Sequence, residues 1–334
     1  MPPKNPGIAK VQHYVPQFLL KHFGNGKKDQ LQVFDKHTGR AFPTNAKNVA
    51  SESRFYDFII DGVEKTLEPM LSELEGKTKP VLQKILDQNS VATLSHTEKS
   101  LLSSFFAIQY TRTRWFREQW RSLPELLGQK LRSIVDSEEQ LVEVQDYIKV
   151  PDENQVKQET VHFMLTAPKD FGPHFFNKTW VLLSTTRSHP FIIGDHPLAM
   201  QNMINMEPYG SIGLGVKGIQ IYFPLSPVRA LGLWCPSIQE DVGRAATTLR
   251  WLKAKAPHLI EQRIKNPEGI EALAASLSGV VPLSYSAENV TNFNSLQVMH
   301  AERYLFSCVD EFSLARQMIT DNQAFSRGRR VTAN

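Results

Sequence analysis

An imidazole, an amide, a guanidinium and a carboxylate from distant parts of the sequence could do chemistry together: His13, Gln109, Arg112 and Asp195. His13 stands in the run Gln12-His13-Tyr14-Val15-Pro16. Pro16 suits the first turn of a helix, where its missing N–H costs nothing. His13 and Tyr14 are therefore expected just before a helix N-terminus, whose free N–H groups favour an anion or a lone pair. A positive helix end disfavours the imidazolium, so the spacing predicts a neutral His13 able to act as base or metal ligand. Gln109 and Arg112 lie three apart and share one helix face, where a guanidinium fork beside an amide suits a phosphate or carboxylate. Asp195 ends an apolar run. It either serves a metal, His13 or a base reaction, or bonds nearby backbone N–H groups in a turn.

The chemistry these groups suggest is hydrolysis of a phosphate-containing substrate such as RNA, DNA or a nucleotide. His13, Asp195 and Gln109 form the candidate catalytic set. Arg112, Tyr14, Lys21, Asn294 and Gln297 are the candidate substrate contacts. His13 and Asp195 are the side chains offered for a divalent metal, whose identity the sequence leaves open. A different class of function competes, a non-catalytic nucleic-acid-binding or sensing module. Arg112, Arg114, Arg117 and Arg121 interleave with Trp115, Phe116 and Trp120, a pattern that meets phosphates and stacks bases if it faces solvent in one stripe. The bland alternatives are a His13 that packs the helix start and an Arg112 bound to Glu68 or Glu73.

Composition narrows the field. Over 334 residues the chain is 41% hydrophobic and 22% charged, with a net charge of +4, which describes ordinary globular material. No run of eighteen apolar residues occurs, and the polar start has no signal-type core, so the expected setting is cytoplasmic and away from membranes. Cys235 and Cys308 are far apart and read as reduced thiols. Gly213-Leu214-Gly215-Val216-Lys217-Gly218 matches G-x-G-x-x-G in letters. It precedes a strand instead of a helix, so it reads as a loop.

The elements that must position these groups follow from periodicity. Residues 31–35 alternate as a strand, turned back at 36–39. A short extended piece is expected at Phe55 and Tyr56. Leu67, Met70, Leu71, Leu74, Leu82, Ile85 and Leu86 fit a helical period, with a break at Gly76 and Pro80. Ser95 and Glu98 form a capping box before a helix over 101–120, and more helix is expected over 123–147. Residues 180–184 and 190–195 read as one antiparallel pair, 220–225 and 230–234 as another, 289–300 as a helix and 303–309 as a last strand. The class is α+β, with an antiparallel sheet from both ends of the chain and a mainly helical insertion at 64–170. The expected organisation is one domain over 10–310, sheet-rich over 180–310, and a basic tail at 311–334 carrying Arg327, Arg329 and Arg330.

Several fragments resemble a widespread, mostly bacterial family, the HYVP-motif domain of unknown function. They are the opening run through Phe23, the strand Val33-Phe34-Asp35-Lys36, Phe55-Tyr56, Gln109-x-x-Arg112, Phe191-Ile192-x-Gly194-Asp195-x-Pro197, Phe223-Pro224-Leu225-Ser226-Pro227 and Asn294-x-x-Gln297. The resemblance covers about residues 10 to 310. It departs at Arg114, where proline is common, and at His196, where asparagine is. The resemblance implies no settled activity; a role in bacterial defence or stress response is the expected setting of the hydrolase or sensing module.

Overall fold

The computed structural model describes residues 11–25, 29–134, 149, 151–205 and 210–330. β1 (Val11–His13) pairs antiparallel with β4 (Ser51–Ser53). Between them lie the single-turn helix α1 (Gln17–Lys21) and the hairpin of β2 (Gln30–Asp35) and β3 (Arg40–Asn45). A second hairpin, β5 (Asp57–Ile60) with β6 (Val63–Thr66), leads into the helices. These are α2 (Glu68–Gln88), α3 (His96–Thr111), α4 (Arg114–Ile134), α5 (Glu153–Asp170) and α6 (Gly172–Phe176). β7 (Thr179–Ser184), β8 (Ile193–Gly194), β9 (Ala199–Asn202), β10 (Ile219–Ser226) and β11 (Arg229–Trp234) follow. Then come α7 (Pro236–Lys255), α8 (Ile260–Arg263), α9 (Pro267–Ser276), β12 (Leu283–Ser284), α10 (Ala287–His300), β13 (Tyr304–Ser307) and α11 (Ser313–Asp321). The class is α+β.

A five-stranded sheet runs β12-β7-β11-β10-β9, and a four-stranded sheet runs β3-β2-β13-β8. The latter unites the two ends of the chain, as expected. Buried against the larger sheet is α3. Phe105 and Phe106 pack edge-on and tilted against Phe223, and Phe106 also meets Phe175 and Trp180. Leu102, Phe105, Phe106 and Ala107 are all fully enclosed. The Ser95 capping box starts this helix as predicted. Its beginning and its end position the two polar regions described below. No described helix is long and apolar enough to cross a membrane.

Three expectations are corrected. α2 runs unbroken through Gly76 and Pro80. Both residues are exposed, so water can take the Gly76 carbonyl that Pro80 cannot bond. Phe55 and Tyr56 lie in a turn with fully enclosed rings. Residues 190–195 do not pair with 180–184: β7 joins β11 and β12, whereas β8 joins β13. Of the helix expected over 123–147, residues 135–147 lie outside the described residues, as do residue 10 and residues 331–334 of the expected domain and tail.

Candidate functional site

The opening motif is built as a strand end and then a turn. His13 is the last residue of β1, opposite Ser51. The five-residue α1 starts from Pro16 without a side-chain cap, so the expected helix end behind His13 supplies little positive potential. Burial is what lowers the His13 pKa, against the Ala46 and Lys47 carbonyls and Glu75, which favour its protonated form. Its Nδ1 meets Gln17 Nε2 at 3.3 Å, and its Nε2 is buried without a partner among the described residues. The Tyr14 ring is buried, and the Tyr14 carbonyl accepts from Gln109 Nε2 at 2.9 Å and Arg112 Nε at 3.3 Å. Arg112, wholly enclosed, also donates to Glu75 Oε1 at 2.8 Å. Gln109 and Arg112 do share a face, and they use it to grip the chain's own backbone. The acid is Glu75 and not the expected Glu68 or Glu73. Lys21 is exposed at the end of α1.

Asp195, Asn294 and Gln297 form a separate fastening. Asn294 Oδ1 accepts from the Ile192 N–H and its Nδ2 donates to the Pro190 carbonyl, both at 3.0 Å. One turn later Gln297 does the same for the Gly194 N–H and the Pro197 carbonyl. These two amides read the backbone of 190–197, which is why that segment leaves β7 for β13. Asp195 accepts the N–H groups of Glu302, Arg303 and Tyr304 at 2.6 to 3.0 Å, joining β8 to the start of β13. Gln109 and Arg112 meet at the Tyr14 carbonyl, and the Asp195 carboxyl lies close enough to the Tyr14 phenol to help raise its pKa, after burial, so the two fastenings adjoin through Tyr14. No group of three metal-ligating side chains occurs among the described residues.

The basic segment is neutralised from within. Arg112 caps α3 while Arg114 opens α4, so the four arginines do not belong to one helix. Arg114 meets Glu52 at 3.4 Å, and Arg121 meets Glu118 and Glu153. Arg117, buried, donates to the Phe55 carbonyl and lies 3.6 Å from its ring centroid. Trp115 covers His196, while Phe116 and Trp120 pack on Phe163. The tail is docked through Arg330, which forks onto Glu302 at 2.7 Å. Among the described residues, Arg112, Arg114, Arg117 and Arg121 do not form one solvent-facing stripe.

An unneutralised charge lies elsewhere, in a cleft of about 390 Å³ at the opposite end of α3, walled by β7 and the first turn of α7. Lys99, one turn into α3, places Nζ 5.0 Å from the Phe176 ring centroid and 5.5 Å from that of Trp180. Its remaining contact is a long 3.4 Å bond to the Lys178 carbonyl, and burial lowers its pKa. Lys178 is only 8% exposed, and its ammonium donates to the Leu214 carbonyl at 2.7 Å. Neither lysine has a carboxylate partner among the described residues, and no acid lines the cleft. Asn177, Thr179 and Gln239 add hydrogen-bonding groups. The positive end of α7 opens at Pro236, beside Cys235. Burial raises the Cys235 thiol, but Ser237, the Gly218 N–H and Lys178 outweigh it and hold its pKa below the usual value. Sequence spacing missed both lysines because 78 intervening residues separate them and neither sits in a motif. The capping box, which fixes where α3 begins, was the one available signal.

The chain matches over residues 11–311 the model of a family described as protein of unknown function (DUF4238), and it belongs to that family. This corrects the assignment to an HYVP-motif family, which nothing in the comparison shows. No curated protein and no solved structure matches the chain.

Proposed function

We propose that the protein binds a small phosphate-bearing molecule in the cleft between α3 and α7. The observation that carries this reading is Lys178, more than nine-tenths buried, sharing an acid-free cleft wall with Lys99. Burying an ammonium without a counter-ion costs several kcal/mol, and a perturbed ionisable group lining a cleft marks a candidate functional site. The Lys99 ammonium, with Lys178 on the same wall and the N-terminus of α7 beside it, favours an anion. The cleft wall offers no histidine or acid to act as a base, which supports binding or sensing over hydrolysis at this place.

A thermal-shift titration with inorganic phosphate and pyrophosphate tests the reading. Wild type gains stability with concentration, pyrophosphate acting at lower dose, and Lys99→Ala loses most of that gain. Lys47→Ala, on an exposed turn far along the chain, keeps it. Equal shifts in wild type and Lys99→Ala overturn the proposal.

One observation favours a second, hydrolytic reading. His13 Nε2, Gln109 Oε1 and an Arg112 terminal nitrogen are all buried without partners around the motif, beside Glu75, whose side chain is 25% exposed. In that reading a neutral His13 takes a proton from water and Arg112 faces the phosphoryl group. His13→Ala then abolishes phosphoester hydrolysis while costing about 1 kcal/mol of stability. A much larger loss in a melt makes His13 structural and removes the reading.

A further inference from the structure

We infer that the phosphate-bearing molecule is a nucleoside phosphate, with its base in a second cleft that adjoins the lysine cleft across Phe176. This rests on the phosphate-binding reading above. The second cleft, of about 310 Å³, shares Asn177 with the first and is lined by His96, Ser100, Ser103, Ser104 and Phe176. The volume accommodates a planar heterocycle with its sugar at the mouth.

Phe176 is the partition. Its half-buried ring has the Lys99 ammonium 5.0 Å from its centroid and the His96 ring at 4.9 Å, tilted by 58°. A molecule with a charged end and a flat aromatic end matches that division, because bases stack on aromatic side chains whatever their sequence. The base edge also needs hydrogen-bonding groups. The Ser100 and Ser104 hydroxyls have no partner among the described residues, and Ser103, which donates to the Lys99 carbonyl at 2.7 Å, can still accept. Neither cleft is lined by an acid, so the phosphate and the acceptor-rich base edge meet no repulsion. A sugar phosphate would leave the aromatic wall unused. A polynucleotide would need cations beyond the clefts, and Arg114 and Arg121 of α4 are already paired with acids.

Calorimetric titration of the full chain decides the matter, using adenosine and guanosine 5′-monophosphates, ribose 5-phosphate and inorganic phosphate. The expected result is that at least one nucleotide binds about tenfold or more tightly than ribose 5-phosphate. Phe176→Leu removes that advantage and leaves ribose 5-phosphate unchanged. Ser104→Met, which fills the second cleft without touching the first, does the same and covers the case in which Phe176→Leu fails to fold. Lys99→Ala weakens every phosphate compound. If Lys99→Ala weakens all of them but ribose 5-phosphate binds as tightly as either nucleotide, the lysine cleft stands and the nucleoside assignment falls. If Lys99→Ala changes nothing, the cleft itself is misread and both fall.

Discussion

His300 shows how far single side chains here are committed to one protonation state. Its Nδ1 donates to the Leu296 carbonyl at 3.0 Å and its Nε2 accepts from the Met200 N–H at 3.3 Å, so a second ring proton would meet a donor head-on. Burial lowers its pKa to about 4 from 6.5. His196, stacked on Trp115 with Nδ1 2.7 Å from Thr113 Oγ1, is driven well below the ordinary value by burial and by His300. Below pH 6.5 the unfolded chain takes up protons that the folded rings refuse, so their stability contribution is complete above that pH and drains as pH falls toward 4. Asp195 works in the opposite sense. Burial raises its pKa to about 6, so folded Asp195 gains a proton between about pH 6 and 4 and offsets one histidine. Two histidines against one carboxyl make the sign for these three groups a loss of stability on acidification in that window. Denaturant titrations at pH 7, 6 and 5 check it, and His300→Gln flattens the slope. Stability that is flat or rises on acidification contradicts this assignment.

At the scale of elements, the sequence motifs turn out to be joints. Gln109 and Arg112 at the end of α3 hold the Tyr14 carbonyl, while Asn294 and Gln297 on α10 hold four backbone groups of 190–197. Gln297→Ala leaves a buried N–H and a buried carbonyl unpaired, and a loss of about 2–4 kcal/mol in chemical denaturation is expected. Arg112→Met strips the partner from Glu75, which water partly reaches, so about 2–3 kcal/mol is expected there. Helix starts and hairpins were legible because their signals are local: the Ser95 box and the β2–β3 and β10–β11 hairpins stand where periodicity put them. The 190–195 strand was misassigned because its partner was chosen by side chains more than one hundred residues away. The spacing of Gln109 and Arg112 was likewise visible, but what they grip was not, since a backbone carbonyl leaves no trace in the residue letters. Arg114, Arg117 and Arg121 do not make the expected stripe because each meets an acid or carbonyl from another segment. Charge-reversal of Arg121 is accordingly expected to leave weak DNA or RNA retention unchanged in a salt-graded filter assay.

For the whole molecule, α3 divides the labour. Its end fixes the N-terminal motif against the core, and its start carries Lys99 into a cleft closed by β7 and α7. The four-stranded sheet ties both chain ends together behind that arrangement, with buried Lys36 donating to the Val298 and Ala301 carbonyls at the end of α10 at 2.6 Å. The α+β class was readable from the alternation of periods, while the cleft was not. Lys99 and Lys178 meet only because Phe176 and Trp180 pack on α3, a tertiary fact that composition cannot express. The central claim is that these two lysines await a phosphate. A crystal structure of the full chain grown with a nucleoside monophosphate tests it most directly. The phosphorus is expected within about 4–5 Å of Lys99 Nζ, on the α7 side of Phe176. A phosphate seated instead beside His13 and Arg112, with the lysine cleft unchanged, would contradict it.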